Sequence, residues 1–227
     1  QQTPNFNADL SNWCVPNVTS EPSSFYHNSA LQPSNLPVWG TCPGKTYVPD
    51  DNFEAYLETH DAIGNTVSVG DVNSMGDGIA NNDYVTSSNI SGVNSLNVFN
   101  QNIADLTGIE DFSALTYLDC GGNQLTSVDI SNNTTLTDFI CDNNPLMSLD
   151  FSNNTALTYI SCGGNQLTSL DISNNTALTR FSIYYTQITN LDVSNNTALT
   201  RLSCYNNQLT SLNVSNNTAL TYLDCGI

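Results

Sequence analysis

A repeat of 21 residues runs through the second half of the chain and limits the architectures that it can adopt. The best-preserved unit reads LTYISCGGNQLTSLDISNNTA, residues 157–177. The leucines that open the units are Leu115, Leu136, Leu157, Leu178, Leu199 and Leu220. An earlier unit, which starts at Val93, is one residue longer. Repeats of this length are typical of solenoids, in which each short unit buries its apolar side only against its neighbours.

Within a unit the apolar residues fall at positions 1, 4, 6, 11, 14 and 16. The alternation at positions 4 and 6, and again at 14 and 16, predicts short strands with every second side chain pointing inward. Asparagine recurs at positions 9 and 19, where the chain must turn, and an inward amide there can satisfy unpaired backbone groups of adjacent coils. We therefore predict a mainly β solenoid whose coils stack at ~4.8 Å.

These units resemble leucine-rich repeats, in particular the short bacterial 21-residue type with a nested double motif. The resemblance covers about residues 93–227. The upstream stretch TYVPDDNFEAYLE, residues 46–58, resembles the capping segment that precedes such arrays in secreted surface proteins of Bacteroidota. The resemblance implies an exported or cell-surface protein, but it does not identify a ligand.

Three segments are expected along the chain. Residues 1–46 are rich in proline and asparagine and contain Trp13 and Trp39, which indicates an irregular arm or small module. Residues 47–92 are expected to cap the array, with a helix near 51–60 that begins after Asp50 or Asp51. Residues 93–227 form the array, whose last unit is incomplete, so we expect further chain or a partner to cover its final coil.

The seven cysteines fall into two groups. Cys14 and Cys42 lie outside the repeat, and in an exported chain they are the natural disulfide pair. The other five occupy position 6, which points into the core: Cys120, Cys141, Cys162, Cys204 and Cys225. Metal binding by this column is one interpretation, but no histidine or carboxylate lies in the same layer. Small buried hydrophobic side chains are the better interpretation.

The charge excludes two classes of partner. Three basic residues oppose 21 acidic ones, and the formal net charge of −18 disfavours nucleic acid and anionic membrane surfaces. No stretch approaches the roughly 18 to 20 apolar residues of a membrane span, so direct membrane insertion is not expected. His27 and His60 are the only histidines and no catalytic motif occurs, so we do not expect an enzyme.

Oxygen-bearing side chains suggest one cation site. Asp71, Asn73, Asp77 and Asp83 lie at near-alternate spacing among glycines, which suggests a Ca²⁺ loop, although the spacing departs from that of a twelve-residue loop and a plain polar turn remains the alternative. A column of aspartates also occupies position 15 and needs water, hydroxyl donors, cations or raised pKa values to relieve its repulsion. Its members are Asp129, Asp150, Asp171 and Asp192.

The first strand of each coil should present positions 3, 5, 7 and 8 outward, on the presumed concave side. We call this surface the strand face. Two of the three basic residues, Arg180 and Arg201, occupy position 3 in adjacent coils, among tyrosines. Such clusters are typical of interaction hot spots, although these side chains could also merely shield the sheet. The candidate ligand-binding residues are Tyr117, Tyr159, Arg180, Tyr184, Tyr185, Arg201, Tyr205 and Tyr222.

The sequence therefore favours an extracellular or cell-surface recognition and adhesion module that binds a surface protein or a polysaccharide on its strand face. The alternative is a structural spacer or filament subunit of a surface assembly. In that case, assembly would involve the N-terminal arm or the open C-terminal coil.

Overall fold

The structure is a computed structural model that describes residues 8–11, 13–15, 18–20, 22, 25, 30–37 and 42–226. Trp39 and His27 lie outside the described residues. The chain divides into two compact bodies, residues 1–46 and 47–227. The first body contains a short 3₁₀ helix, Pro33–Asn35, and the Leu10 amide donates to the Asn35 carbonyl at 2.9 Å. Cys14 and Cys42 form a disulfide, which confirms the predicted pair.

The second body begins with the cap. Strand β1 (Lys45–Tyr47) ends at the first residue of this body. It is followed by helix α1 (Asp51–Thr59), strand β2 (Tyr84–Thr86) and helix α2 (Ser87–Ile90). One Asp50 oxygen accepts from the Asn52 and Phe53 amides, each at 3.0 Å, and so caps α1. Its other oxygen accepts from the Ala104 amide at 2.7 Å. A single carboxylate thus joins the helix to the start of the array.

Helix α1 covers the first coils, as expected. Phe53 and Leu57 are fully buried, and the Phe53 ring stacks on Phe112 with 6.3 Å between centroids. Glu54 and Glu58 are also buried on this helix, and their carboxylates turn toward the loop that precedes β2. Those carboxylates accept hydrogen bonds from backbone amides of that loop, so they keep hydrogen-bond partners although they are buried.

The array is a parallel β-solenoid with seven strands in chain order. Its strands are β3 (Ser95–Asn97), β4 (Tyr117–Asp119), β5 (Asp138–Ile140), β6 (Tyr159–Ser161), β7 (Arg180–Ser182), β8 (Arg201–Ser203) and β9 (Tyr222–Asp224). A 3₁₀ helix, Ile109–Asp111, lies between β3 and β4. We number as coils 1 to 6 the units that begin at Leu115 through Leu220. Each strand pairs with the equivalent residues of the next coil, so a repeat position becomes a straight column.

The second predicted strand of each unit is absent. Positions 14 and 16 form no strand in any coil of the described array, although position 16 is buried in coils 1 to 4. Periodicity alone misassigned this segment because an extended chain with an inward side chain gives the same pattern with or without ladder hydrogen bonds. Backbone groups on this side are satisfied instead by asparagine amides.

The two asparagine columns are buried, as predicted, except for Asn207, which is half-buried. In coil 3 the Asn165 amide nitrogen donates to the carbonyls of Cys141 and Cys162, both at 3.0 Å, and its oxygen accepts from the Leu146 amide at 3.2 Å. Asn175 donates to the carbonyls of Phe151 and Asn154 in the preceding coil. These amides act as cross-links between coils where no strand pairs.

The cysteine column belongs to the core for most of its length. Cys120, Cys141 and Cys162 are fully buried, Cys204 is nearly so, and Cys225 is exposed. Burial raises the pKa of the buried thiols, which disfavours the thiolate that a metal would need. The buried members therefore behave as the small hydrophobic side chains that the sequence predicts.

Candidate functional site on the strand face

The two arginines of the strand face lie in adjacent coils but point away from each other. The Arg180 guanidinium lies over the Tyr159 ring of coil 3, 4.3 Å from its centroid, and the Arg201 guanidinium lies over the Tyr222 ring of coil 6, at 4.9 Å. Like charges in directly paired strand positions repel, and each ring offers a cation–π contact in the opposite direction. The divergence leaves a depression between them.

This depression, which we call the arginine cleft, has a volume of about 320 Å³. Tyr159 and Tyr222, of the coils on either side, line it together with Ser182 and Ser203. Both serines occupy position 5 and are half-buried, and neither hydroxyl forms a hydrogen bond with another described residue. The cleft therefore offers guanidinium and hydroxyl donors side by side, a set suited to a carboxylate.

The arginines differ in how far their charge is neutralised. Arg180 of coil 4 reaches across coil 3, and its amino group lies 3.4 Å from a carboxylate oxygen of Asp138 in coil 2. Arg201 forms no ion pair with any residue in the described part of the chain. Its charge is the less compensated one, and its side chain is exposed. The pairing with Asp138 was not predicted, because sequence spacing does not show which way a side chain leans along a column.

Three tyrosines form a compact group beside the cleft, which we call the tyrosine cluster: Tyr184, Tyr185 and Tyr205. The rings of Tyr184 and Tyr205 stack almost parallel, with 5.1 Å between centroids and 3° between planes. Tyr185 packs edge-on against both, at 6.1 Å and 5.5 Å. The structure thus brings together seven of the eight predicted ligand-binding residues, in coils 3 to 6.

Tyr117 is the residue that stands apart. It occupies position 3 of coil 1, is half-buried, and takes part in neither the arginine cleft nor the tyrosine cluster. Burial and the nearby charges of Asp119 and Asp138 raise the pKa of its hydroxyl. This end of the strand face is acidic, whereas the arginines lie toward the other end.

Tyr185 has an unusual backbone. Its φ is +50°, in the left-handed region that glycine and asparagine tolerate and other residues avoid. Coils 1, 2, 3 and 5, and the unit that precedes coil 1, hold glycine or asparagine at this position 8, with similar φ: Asn100, Gly122, Asn143, Gly164 and Asn206. The Tyr185 ring is nevertheless 61% exposed. Coil 4 thus holds an exposed aromatic side chain at a strained backbone position, and such strain is typical of functional sites.

Glycine and aspartate hold the Tyr184 ring in place. A Cβ atom on Gly163 would lie 2.5 Å from the Tyr184 ring, so the ring rests directly on the glycine backbone of coil 3. Asp142 accepts from the Ser161 hydroxyl at 2.7 Å and the Gly163 amide at 2.6 Å. Burial, together with the charge of Asp142, raises the pKa of Tyr184 to about 12. The sequence did not predict that Gly163 supports the Tyr184 ring, because glycine at position 7 does not show which side chain lies on it.

The predicted Ca²⁺ residues are not brought together as a group. Asp71 accepts from the Asn73 amide, and Asp77 accepts from the Ile79 amide and the Asn82 side chain. Asp83 instead lies near Asp51 and Glu54, whose carboxylate oxygens approach within 4.8 Å. Both Glu54 oxygens accept backbone amides in the same loop. The loop is therefore organised by internal hydrogen bonds, and Ca²⁺ binding stays a prediction.

The position 15 aspartates each close a local turn. In coils 1 to 4 the carboxylate accepts from the amide two residues later, at 2.8 to 2.9 Å, and Asn213 makes the same bond in coil 5. These hydrogen bonds lower the pKa of the carboxyl groups. Of the ways to relieve repulsion that the sequence left open, hydroxyl and amide donors thus stabilise the charged aspartates, and the pKa values are not raised.

Comparison with known proteins supports the fold. A family model described as LVIVD repeat matches residues 116–137 and 156–186, which is less than half of the chain. Internalin J of Listeria monocytogenes is 40% identical over 52 residues, which cover 23% of this chain and 6% of that protein. The chain thus spans only a small part of this curated relative.

Solved structures of bacterial repeat proteins are similar. An internalin of Listeria monocytogenes, InlF, gives a TM-score of 0.57 at 20% identity, covering 78% of this chain and 56% of that one. A leucine-rich repeat protein of Leptospira interrogans gives a TM-score of 0.52 at 22% identity, covering 59% of this chain and 37% of that one. The functional domain of InlJ from Listeria monocytogenes, which includes a cysteine ladder, gives a TM-score of 0.47 at 29% identity, covering 80% of this chain and 47% of that one. The chain is a leucine-rich-repeat-like solenoid protein.

Proposed function

We propose that this protein is an extracellular or cell-surface recognition module that binds a macromolecular ligand on its strand face. The binding surface comprises the arginine cleft and the tyrosine cluster, which both lie on the strand face of coils 3 to 6. Large aromatic side chains and arginine are the residue types that carry most of the energy at protein interfaces. The protein is not proposed to be an enzyme, and that absence stays a prediction.

Tyr185 is the observation that carries this proposal. Its left-handed backbone costs of the order of 1 kcal/mol, whereas asparagine at the same position in coils 2 and 5 avoids that cost. Because the ring is mostly exposed, its partial burial contributes little to the stability of the isolated chain. A costly residue that contributes little to folding is best explained by a contact with a ligand.

Location outside the cell rests on two observations. The Cys14–Cys42 disulfide fits an oxidising compartment. The array is similar to internalins, which are bacterial proteins, and its 21-residue repeat independently resembles the repeats of bacterial surface proteins. Within the described residues, no helix has the length and apolar character needed to cross a membrane.

A paired variant tests the proposal directly. Tyr185→Asn gives coil 4 the residue found in coils 2 and 5, and Gln187→Asn is the matched control in the same coil, off the strand face. Both variants and the unaltered chain would be screened against panels of bacterial and host surface proteins and of glycans. We expect Tyr185→Asn to bind at least about tenfold more weakly while its free energy of unfolding is unchanged or higher by about 1 kcal/mol.

The control is expected to bind as the unaltered chain does. Equal binding by Tyr185→Asn would remove the strand face as the site. Absence of binding in every panel, together with concentration-dependent polymers in light scattering, would favour the alternative of a spacer or filament subunit.

A further inference from the structure

The arginine cleft has the donors of a site for one carboxylate. Among the described residues the Arg201 guanidinium contacts the Tyr222 ring and has no ion pair, so its N–H groups remain available at the cleft. Ser182 and Ser203 line the same cleft, and their hydroxyls have no hydrogen-bond partner among the described residues. A guanidinium can bind a carboxylate through two parallel N–H···O bonds, and hydroxyl donors can satisfy its remaining lone pairs.

The charge around the cleft restricts what can carry that carboxylate. Arg180 is already paired with Asp138, so the cleft has about one free positive charge. Coils 1 and 2 of the same face hold Asp119 and Asp142, and neither has a cationic partner among the described residues. The whole chain carries a formal net charge of −18. A polyanion with a charge on every repeating unit would therefore meet repulsion on all sides of a single favourable contact.

The tyrosine cluster indicates what should flank the carboxylate. The Tyr185 ring is exposed and stands edge-on against the stacked rings of Tyr184 and Tyr205. This gives an apolar surface beside the cleft, which suits an apolar or aromatic side chain of a ligand. An isolated acidic side chain next to an apolar one is ordinary in a protein segment.

We propose that the strand face binds a segment of a partner protein in which an aspartate or glutamate side chain enters the arginine cleft and a neighbouring apolar side chain packs on the tyrosine cluster. This inference rests on the proposed function and assigns it a ligand class. Arg201 is the residue that determines specificity for the acidic side chain, with Ser182 and Ser203 as additional donors.

A charge inversion provides the test. A library of random twelve-residue peptides, each joined to its carrier through the C-terminus, would be selected against the unaltered chain and against Arg201→Glu. Gln166→Glu, which adds the same residue at an exposed position off the strand face, is the matched control. Hyaluronate and heparin would be tested in parallel as defined polyanions.

We expect peptides that share an acidic residue next to an apolar one, binding Arg201→Glu about tenfold or more weakly and Gln166→Glu without change. Selection on Arg201→Glu should enrich a basic residue instead, because the inverted side chain prefers the opposite charge. The Ser182→Ala, Ser203→Ala double variant should retain the acidic preference with weaker binding.

Each other outcome overturns the inference. Enriched peptides without a charge preference, or with one that Arg201→Glu leaves unchanged, would contradict it while leaving the strand face as a binding surface. Binding of hyaluronate or heparin that depends on Arg201 would replace the protein segment by a polysaccharide and leave the proposed function standing. No binding by peptides, polyanions or the wider panels would remove both proposals.

Discussion

The turn side and the strand face of the same coils follow different rules. On the turn side, positions 9, 15 and 19 repeat almost the same residue in every coil, and the resulting asparagine and aspartate columns hydrogen-bond backbone groups. On the strand face, positions 3, 7 and 8 change from coil to coil and include a strained tyrosine and diverging arginines. Uniform residues hold the solenoid together, and varied residues on the same scaffold are free to recognise a ligand.

Carboxylates show the same contrast. Aspartates at position 15 have a lowered pKa because nearby amide and hydroxyl donors stabilise the charged form. Asp119 and Asp142 on the strand face have a raised pKa, chiefly because burial disfavours their charge. The first group stabilises the fold at neutral pH and the second group opposes it. Charges that oppose folding are more readily explained by a surface that serves binding.

The largest effect is expected on the turn side. Asn165→Ala removes an amide that bonds the carbonyls of Cys141 and Cys162 and the Leu146 amide. The Cys141 carbonyl keeps its bond from Asn144, but the Cys162 carbonyl and the Leu146 amide lose the side-chain partner that bonds them. We expect the free energy of unfolding to fall by about 3 kcal/mol. Urea unfolding measures it, with exposed Gln166→Ala in the same coil as the control. A loss below about 1 kcal/mol would contradict the cross-linking function of the column.

A smaller, pH-dependent effect is expected for Asp142→Asn. Because the folded chain raises the pKa of Asp142 above its ordinary 3.8, protonation stabilises the fold below that value, and this stabilisation is lost as the pH rises through the folded-state pKa. Asparagine stays neutral. The stability of the variant relative to the unaltered chain should therefore increase from about pH 4 to about pH 7. Urea unfolding across that range tests it, and a difference independent of pH would be inconsistent with the raised pKa.

The smallest effect is expected at position 15. Asp129→Asn should leave the free energy of unfolding nearly unchanged, because Asn213 already makes the equivalent bond to the Ser215 amide in coil 5. Asp129→Ala removes the acceptor for the Ser131 amide and should cost about 0.5 kcal/mol. Thermal unfolding of the two variants in parallel measures the difference. A marked loss for the asparagine variant would show that the negative charge, rather than the hydrogen bond, is required.

The sequence predicts the solenoid well because one period determines both the inward columns and the turns. The start of α1 after Asp50, the Cys14–Cys42 disulfide and the buried asparagines all follow from local patterns. The register of the repeat likewise predicts which tyrosines and arginines occupy the strand face, because it assigns each of them a position in the unit. Period and register belong to the linear chain, so these features do not depend on knowing how distant side chains meet.

The geometry of the site could not be predicted in the same way. Each arginine at position 3 can lean toward either neighbouring coil, and only the surrounding charges and rings decide the direction. The strained backbone of Tyr185 had a signal, since glycine and asparagine occupy its position elsewhere, but an exception to a turn rule looks like ordinary variation. The absent second strand was missed because apolar alternation does not report pairing.

The Tyr184 ring of coil 4 lies on Gly163 of coil 3, and Arg180 reaches past Tyr159 to Asp138 of coil 2. Genes that encode near-identical repeats can lose one unit by unequal recombination. Loss of coil 3 would leave both asparagine columns in register and a continuous sheet, yet Tyr184 would lose the glycine on which its ring lies and Arg180 would lose its ring. Recognition by this protein is thus encoded in the order of its units, and a single in-frame deletion could alter its specificity without a change in fold.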